Sequence, residues 1–166
     1  MSNPDQSWTI RAEAPADAPA IEALNNDVFG PERFARSAYR LREGLAPLAE
    51  LGLVAVENGI LRGSVRFWPI RVGGMPALLL GPLAVHGDQR GRGIGVGLMQ
   101  QGIEQARKDW DAILLVGDEP YYGKVGFTKM PEGRLQFPGP VDPARLLGLS
   151  LKDGALEKLS GAVTRA

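Results

Sequence analysis

The sequence predicts a mixed α/β domain with a central, mostly antiparallel sheet of about seven strands. About four helices flank that sheet, and one strand pair in it is parallel. Three observations predict this fold class. The turn pairs Asn58-Gly59 and Gly73-Gly74 separate three β-rich runs, which reads as an antiparallel meander. The wholly apolar run 112–116 is reached through a helix, the arrangement of a strand buried on both faces beside a parallel neighbour. A chain of 166 residues suits one domain with a proper core, and no linker or internal repeat divides it, so residues 1–166 are expected to form a single domain.

Residues 8–13 alternate apolar and polar side chains and predict a first strand. Pro15 and Asp17 suit a helix start, Ile21, Leu24 and Val28 recur at helical spacing, and Gly30-Pro31 ends the helix. Residues 32–43 predict a second helix with Phe34, Ala38 and Leu41 on one face. The meander occupies 53–57, 60–72 and 77–85. The glycine-rich stretch 91–97 opens a helix that runs to about Lys108, with Val96, Met99, Ile103, Ala106 and Trp110 three or four apart. After strand 112–116 comes a short helix over 120–125. Strands at 146–151 and 162–164 close the chain, preceded by the turn-rich connector 138–143.

Composition excludes several functions. Lys plus Arg and Asp plus Glu number 19 each, so a general nucleic-acid or membrane-surface binder is not expected. The absence of cysteine removes disulfides, thiolate metal sites and cysteine nucleophiles, and a single histidine, His86, removes a His-rich metal centre. No metal is therefore expected. The start of the chain lacks a signal-peptide pattern, and the longest apolar stretch, 77–85, is far too short to span a membrane, so the protein reads as cytoplasmic.

The chemistry lies in residues 80–95, an apolar strand, a basic glycine-rich loop and a helix start. The first N–H groups of a helix have no intrahelical partner and sit at the positive end of its dipole. Glycines let those groups close around a phosphate, and Arg90 and Arg92 add charge suited to a pyrophosphate. The dinucleotide spacing G-x-G-x-x-G fails here, because Leu98 stands where the third glycine belongs. The nucleotide loop G-x-x-x-x-G-K-[ST] fails because Val125 follows Gly123-Lys124. A tight turn that binds nothing is the bland alternative.

Arg90-x-x-Gly93-x-Gly95 resembles the pyrophosphate-binding motif R/Q-x-x-G-x-G/A of the GNAT N-acetyltransferases, and Tyr122-x-x-x-Gly126-Phe127 resembles that family's Y-x-x-x-G-F element. Residues 80–127 are similar to the subgroup of predicted bacterial acetyltransferases related to YhbS; the resemblance is weakest after Met130. It implies a GNAT-like domain in which the parallel pair, 80–85 and 112–116, splays to hold the pantetheine arm of acetyl-CoA. Leu83, Ala84, Val85, Arg90, Gly91, Arg92, Gly93, Ile94 and Gly95 are the expected cofactor-contacting residues. Gly81-Pro82 suits the splaying, since Pro82 cannot donate to a ladder and glycine often marks a bulge.

The implied reaction is direct attack of a primary amine, of a small molecule or a peptide, on the thioester. Leu83 or Ala84 would supply an oxyanion N–H, and Tyr122 would act as general acid toward the CoA thiolate. Tyr121 is expected to face another direction. The base is open among His86, Asp118, Glu119 and Glu57, acting directly or through water; His86 has the plain alternative of a loop histidine, and Asp118 and Glu119 that of caps or first-turn charges. Phe34, Tyr39, Arg66 and Trp68 are candidates for the acceptor pocket, although aromatic residues at such spacings are more often core. A homodimer is compatible with the family. A non-catalytic CoA sensor on the same fold and a nucleotide-binding domain outside the family are the alternatives.

Overall fold

The computed structural model describes residues 7–30 and 37–166, with Ser37 by its backbone alone. Its strands are β1 (Thr9–Ala12), β2 (Leu53–Glu57), β3 (Ile60–Val72), β4 (Met75–Val85), β5 (Ala112–Val116), β6 (Thr128–Lys129), β7 (Leu135–Gln136), β8 (Leu146–Ser150) and β9 (Gly161–Arg165). Its helices are α1 (Ala18–Phe29), α2 (Ser37–Arg40), α3 (Ile94–Ala106) and α4 (Glu119–Tyr122), joined by short 3-10 turns.

The meander is present with the expected turns. Asn58 and Gly59 both take left-handed backbone angles, φ 52° and 75°, as a tight two-residue hairpin requires. The sheet order is β1-β2-β3-β4-β5-β8-β6, with β9 on the far end of β3 and β7 beside β9. All pairs are antiparallel except β4 with β5 and β7 with β9. Two strands beyond the expected seven, β6 and β7, have two residues each, too short to leave a period in the sequence. The second helix is shorter than expected: α2 covers four residues, and the part of that expectation on 31–36, with Phe34, lies outside the described residues.

The sheet is buried on both faces. Leu53, Val65, Phe67, Leu78, Leu80 and Leu115 pack on one side with Leu98, Met99 and Ile103 of α3. Trp68, Ile70, Leu79 and Leu114 pack on the other. That double burial is why β4 and β5 read as unbroken apolar runs. Helix α3 approaches β3 closely because Gly102 has no side chain; a Cβ there would stand 2.6 and 2.7 Å from the Phe67 ring. Gly102→Ala is expected to destabilise the fold by about 1–3 kcal/mol through overpacking, readable as a lower urea midpoint at unchanged slope.

Candidate functional site

The site opens where the parallel pair stops pairing. β4 and β5 pair at Leu78 with Ile113 and at Leu79 with Leu114, and beyond these positions the strands part. The cause lies in β4. Between Val65 and Phe67 of β3 the partners step from Leu83 to Leu80, so β4 carries one extra residue over Gly81-Pro82. Gly81 takes φ 143°, which L side chains rarely adopt, and Pro82 has no N–H for the ladder. The Trp68 Nε1–H donates to the Gly81 carbonyl at 2.6 Å and fixes the bulge from below.

The bulge also sets the phase of the strand over 83–85. The His86 N–H donates to the Arg62 carbonyl at 3.2 Å. Alternation along an antiparallel strand therefore turns the Ala84 N–H toward β3, and those of Leu83 and Val85 toward the open edge. Leu83 and Val85 wall the resulting cleft, while Ala84, expected among the cofactor-contacting residues, is fully buried and faces away from it.

The cleft has a volume of about 1070 Å³ and runs from the start of α3 past the bulge to α1 and α2. At the α3 end, Gly91 and Gly93 have φ 83° and 82°, and a Cβ at either would meet nothing within 4 Å. The first intrahelical bond here runs from the Gly97 N–H to the Gly93 carbonyl at 2.9 Å. The N–H groups of Ile94, Gly95 and Val96 are thus left at the positive end of α3, in the cleft wall beside Arg90.

Arg92 is placed elsewhere. It grips Glu57 through both nitrogens, at 2.7 and 3.0 Å, and also contacts Ser7 and Gln89; it is not a wall residue. Glu57 is buried at the β2–β3 turn, where it accepts from the Ser7 hydroxyl and has Arg62 Nε at 3.3 Å. The Arg92 and Ser7 hydrogen bonds hold its carboxyl down to about 2. That contribution is present above the ordinary Glu range and is lost as the pH falls toward 2. Arg92 thus ties the loop to the β2–β3 hairpin, and of the two loop arginines Arg90 is the one that lines the cleft.

Both tyrosines of α4 border the cleft. Adjacent helix residues are about 100° apart, so a wide cleft beside a short helix reaches both. Tyr121, expected to face another direction, lays its hydroxyl over Gly95, where it excludes any Cβ. Tyr122 packs edge-on against Tyr121 and Phe127, at 5.1 and 6.3 Å between centroids, and its ring fills the space left by Gly117. Burial, with Tyr121 and Asp118 as lesser causes, pushes the Tyr122 phenol up to about 12 against the opposing Arg145.

The residues suggested by the sequence for an acceptor pocket are only partly in the cleft. Tyr39 lines it. Arg66 instead makes a two-pronged bond with Glu13, both at 3.0 Å, and Trp68 lies beneath the bulge. Of the candidate bases, Asp118 alone is a wall residue, with Arg145 at 3.3 Å; the Glu119 carboxylate accepts from the Lys129 N–H. Arg42, Asp142 and Arg145 also line the cleft, and no motif in the sequence points to them. Asp142 and Arg145 arrive because β8 pairs with β5 and begins opposite Val116, a long-range contact with no local signal.

Among the described residues no group of three or more His, Asp or Glu could hold a metal, and no helix is long and apolar enough to cross a membrane.

The model of the acetyltransferase (GNAT) family matches residues 18–127. The uncharacterized N-acetyltransferase YhbS of Escherichia coli strain K12 is 32% identical over 158 residues, covering 93% of each chain. The crystal structure of the Escherichia coli YhbS protein in complex with CoA is similar with a TM-score of 0.81 at 30% identity, over 100% of this chain and 93% of that one. A GNAT family acetyltransferase from Brucella melitensis in complex with acetyl-CoA gives 0.63 at 28% identity, over 89% and 97%. With the splayed pair, the glycine-rich helix start and these likenesses together, the chain belongs to the GNAT acetyltransferase family.

Proposed function

We propose that this acetyltransferase moves the acetyl group of acetyl-CoA onto a primary amine of a small molecule or peptide, by direct attack in the gap between β4 and β5. The observation that carries the reading is continuity. One cleft joins the free N–H groups of α3, the open edge of β4 and the Tyr122 ring. The α3 N-terminus and Arg90 would take the pyrophosphate. The pantetheine amides would lie along the edge presented by Leu83 and Val85, as an added strand does.

The neutral amine attacks the thioester carbon and gives a tetrahedral oxyanion, for which Leu83 offers the N–H on the open side of the bulge. Collapse breaks the C–S bond; the amine proton leaves to solvent or to a nearby carboxylate, and the sulfur gains one. Tyr122 is the proton donor, and its phenolate regains a proton from solvent before the next turnover. Burial raises its phenol to about 12, so the donor stays protonated and can hydrogen-bond the sulfur as the thiolate departs.

The test is calorimetry with CoA, ATP and NAD, followed by a panel of amines and peptides read by thiol release. CoA is expected to bind and the nucleotides not. Arg90→Ala should weaken CoA about tenfold. Gly93→Asp should weaken it by about a hundredfold or more, since it forces a side chain into φ 82° and sets a negative charge at the helix start. Normal CoA binding by both variants would sink the pyrophosphate assignment. Tight CoA binding without turnover on any amine would favour a sensor on the same fold.

A further inference from the structure

We propose that Glu57 is a positioning residue for the CoA pyrophosphate: through Arg92 it holds the glycine-rich loop in the shape that aims the α3 N–H groups into the cleft. The inference rests on the reading that the start of α3 anchors the phosphates. It goes beyond that reading, because Glu57 ends β2 at the hairpin, and neither it nor Arg92 is a wall of the cleft.

An anion cradle made of backbone N–H groups binds only as well as its shape is held beforehand. Here the chain itself holds that shape weakly. Gly91 and Gly93 both sit in the left-handed region, at φ 83° and 82°, and glycine gives up more conformational freedom on ordering than any other residue. Arg92 is the one side chain between them. Its Nη2 donates to Glu57 at 2.7 Å and to the Ser7 hydroxyl at 3.0 Å; its Nη1 donates to Glu57 at 3.0 Å and to Gln89. Gln89 and Arg90 line the cleft, so one guanidinium ties both the glycine pair and the limb before it to the hairpin. The limb after it is seated on the same hairpin. A Cβ on Gly63 of β3 would stand 3.0 Å from the Ile94 side chain at the start of α3.

Arg92 acts through its place and not through its charge. Were it to swing to a phosphate, the buried Glu57 would keep the Ser7 hydroxyl and Arg62, whose Nε stands 3.3 Å away without making a hydrogen bond. Leaving a buried carboxylate short of its partner is costly, so the pair stays closed when phosphate arrives.

The experiment is calorimetry on the full chain with CoA, and with 4′-phosphopantetheine and pantetheine in competition with CoA. In the parent, affinity is expected to rise at each step from pantetheine to CoA. Glu57→Gln and Arg92→Met should each weaken CoA and 4′-phosphopantetheine by about tenfold and leave pantetheine within about twofold. The double variant should bind CoA as the single variants do, within about threefold. It strands no carboxylate, so it reads the clamp even where a single variant folds poorly.

CoA binding in Glu57→Gln equal to the parent's, or tighter, would overturn the inference, since Arg92 would then be idle or a phosphate ligand that Glu57 holds back. Equal losses across all three ligands would overturn it as the mark of a merely structural pair. Loss of CoA with 4′-phosphopantetheine untouched would overturn it by placing the effect at the nucleoside, and additive losses in the double variant by separating the two residues. A parent that binds CoA no more tightly than pantetheine would overturn the α3 anchor itself, and this inference with it.

Discussion

Tyr122→Phe is expected to lower kcat by about 10²- to 10³-fold, the scale of losing one aimed donor to a developing anion. The ring contacts with Tyr121 and Phe127 do not need the hydroxyl, so the thermal midpoint should hold and CoA should still bind. The pH dependence is a second, independent signature. A phenol held at about 12 stays protonated through the accessible range, so the wild-type rate should climb as the amine deprotonates and then level off. A descending limb from Tyr122 belongs only above about pH 11. Thiol release measured from about pH 6 to pH 10 on both proteins checks this. A fall near pH 9 that vanishes in the Phe variant would contradict the raised phenol, and an undiminished kcat would remove Tyr122 from the chemistry.

The glycine-rich end of the cleft was legible as structure because its signals are local. The β2–β3 turn needs left-handed angles that Asn58 and Gly59 accept, and the helix start needs Gly91 and Gly93 for the same reason. The other end of the cleft is assembled from distant pieces. Arg42 reaches Gly81 from 39 positions upstream, and Arg145 reaches the cleft only because β8 lies on β5. Arg92 carried the right charge in the right loop, yet its partner Glu57 sits 35 residues upstream and draws it away.

Ala84 illustrates a finer limit. Its neighbours Leu83 and Val85 face the open edge and it does not, a matter of phase set by one extra residue at Gly81-Pro82. A one-residue step exchanges the two sides of a strand, and no composition rule fixes the step. Tyr121 and Tyr122 pose the same question on a helix, where the width of the cleft, unreadable from sequence, admits both.

Gly81→Ala should show how much of the site depends on that single backbone position. An alanine at φ 143° carries strain of about 1–3 kcal/mol, which for a chain of this length lowers the thermal midpoint by roughly 3–10 °C. The new Cβ also falls 2.6 Å from the Arg42 Nη2. A long flexible side chain yields before backbone does, so the guanidinium leaves its place rather than the bulge closing. Amine turnover should then drop by about tenfold or more, because the proposed oxyanion N–H of Leu83 sits on the strained bulge, while CoA, for which the α3 end is the proposed anchor, should lose much less affinity. Combining the change with Arg42→Gln separates the two causes. The clash disappears and the backbone strain remains, so the stability loss should shrink without vanishing, and the two substitutions should not add in stability. A Gly81→Ala protein as stable and as active as the parent would mean that the strands part for some reason other than the bulge. Additive stability losses would mean instead that Arg42 and Gly81 act at separate places.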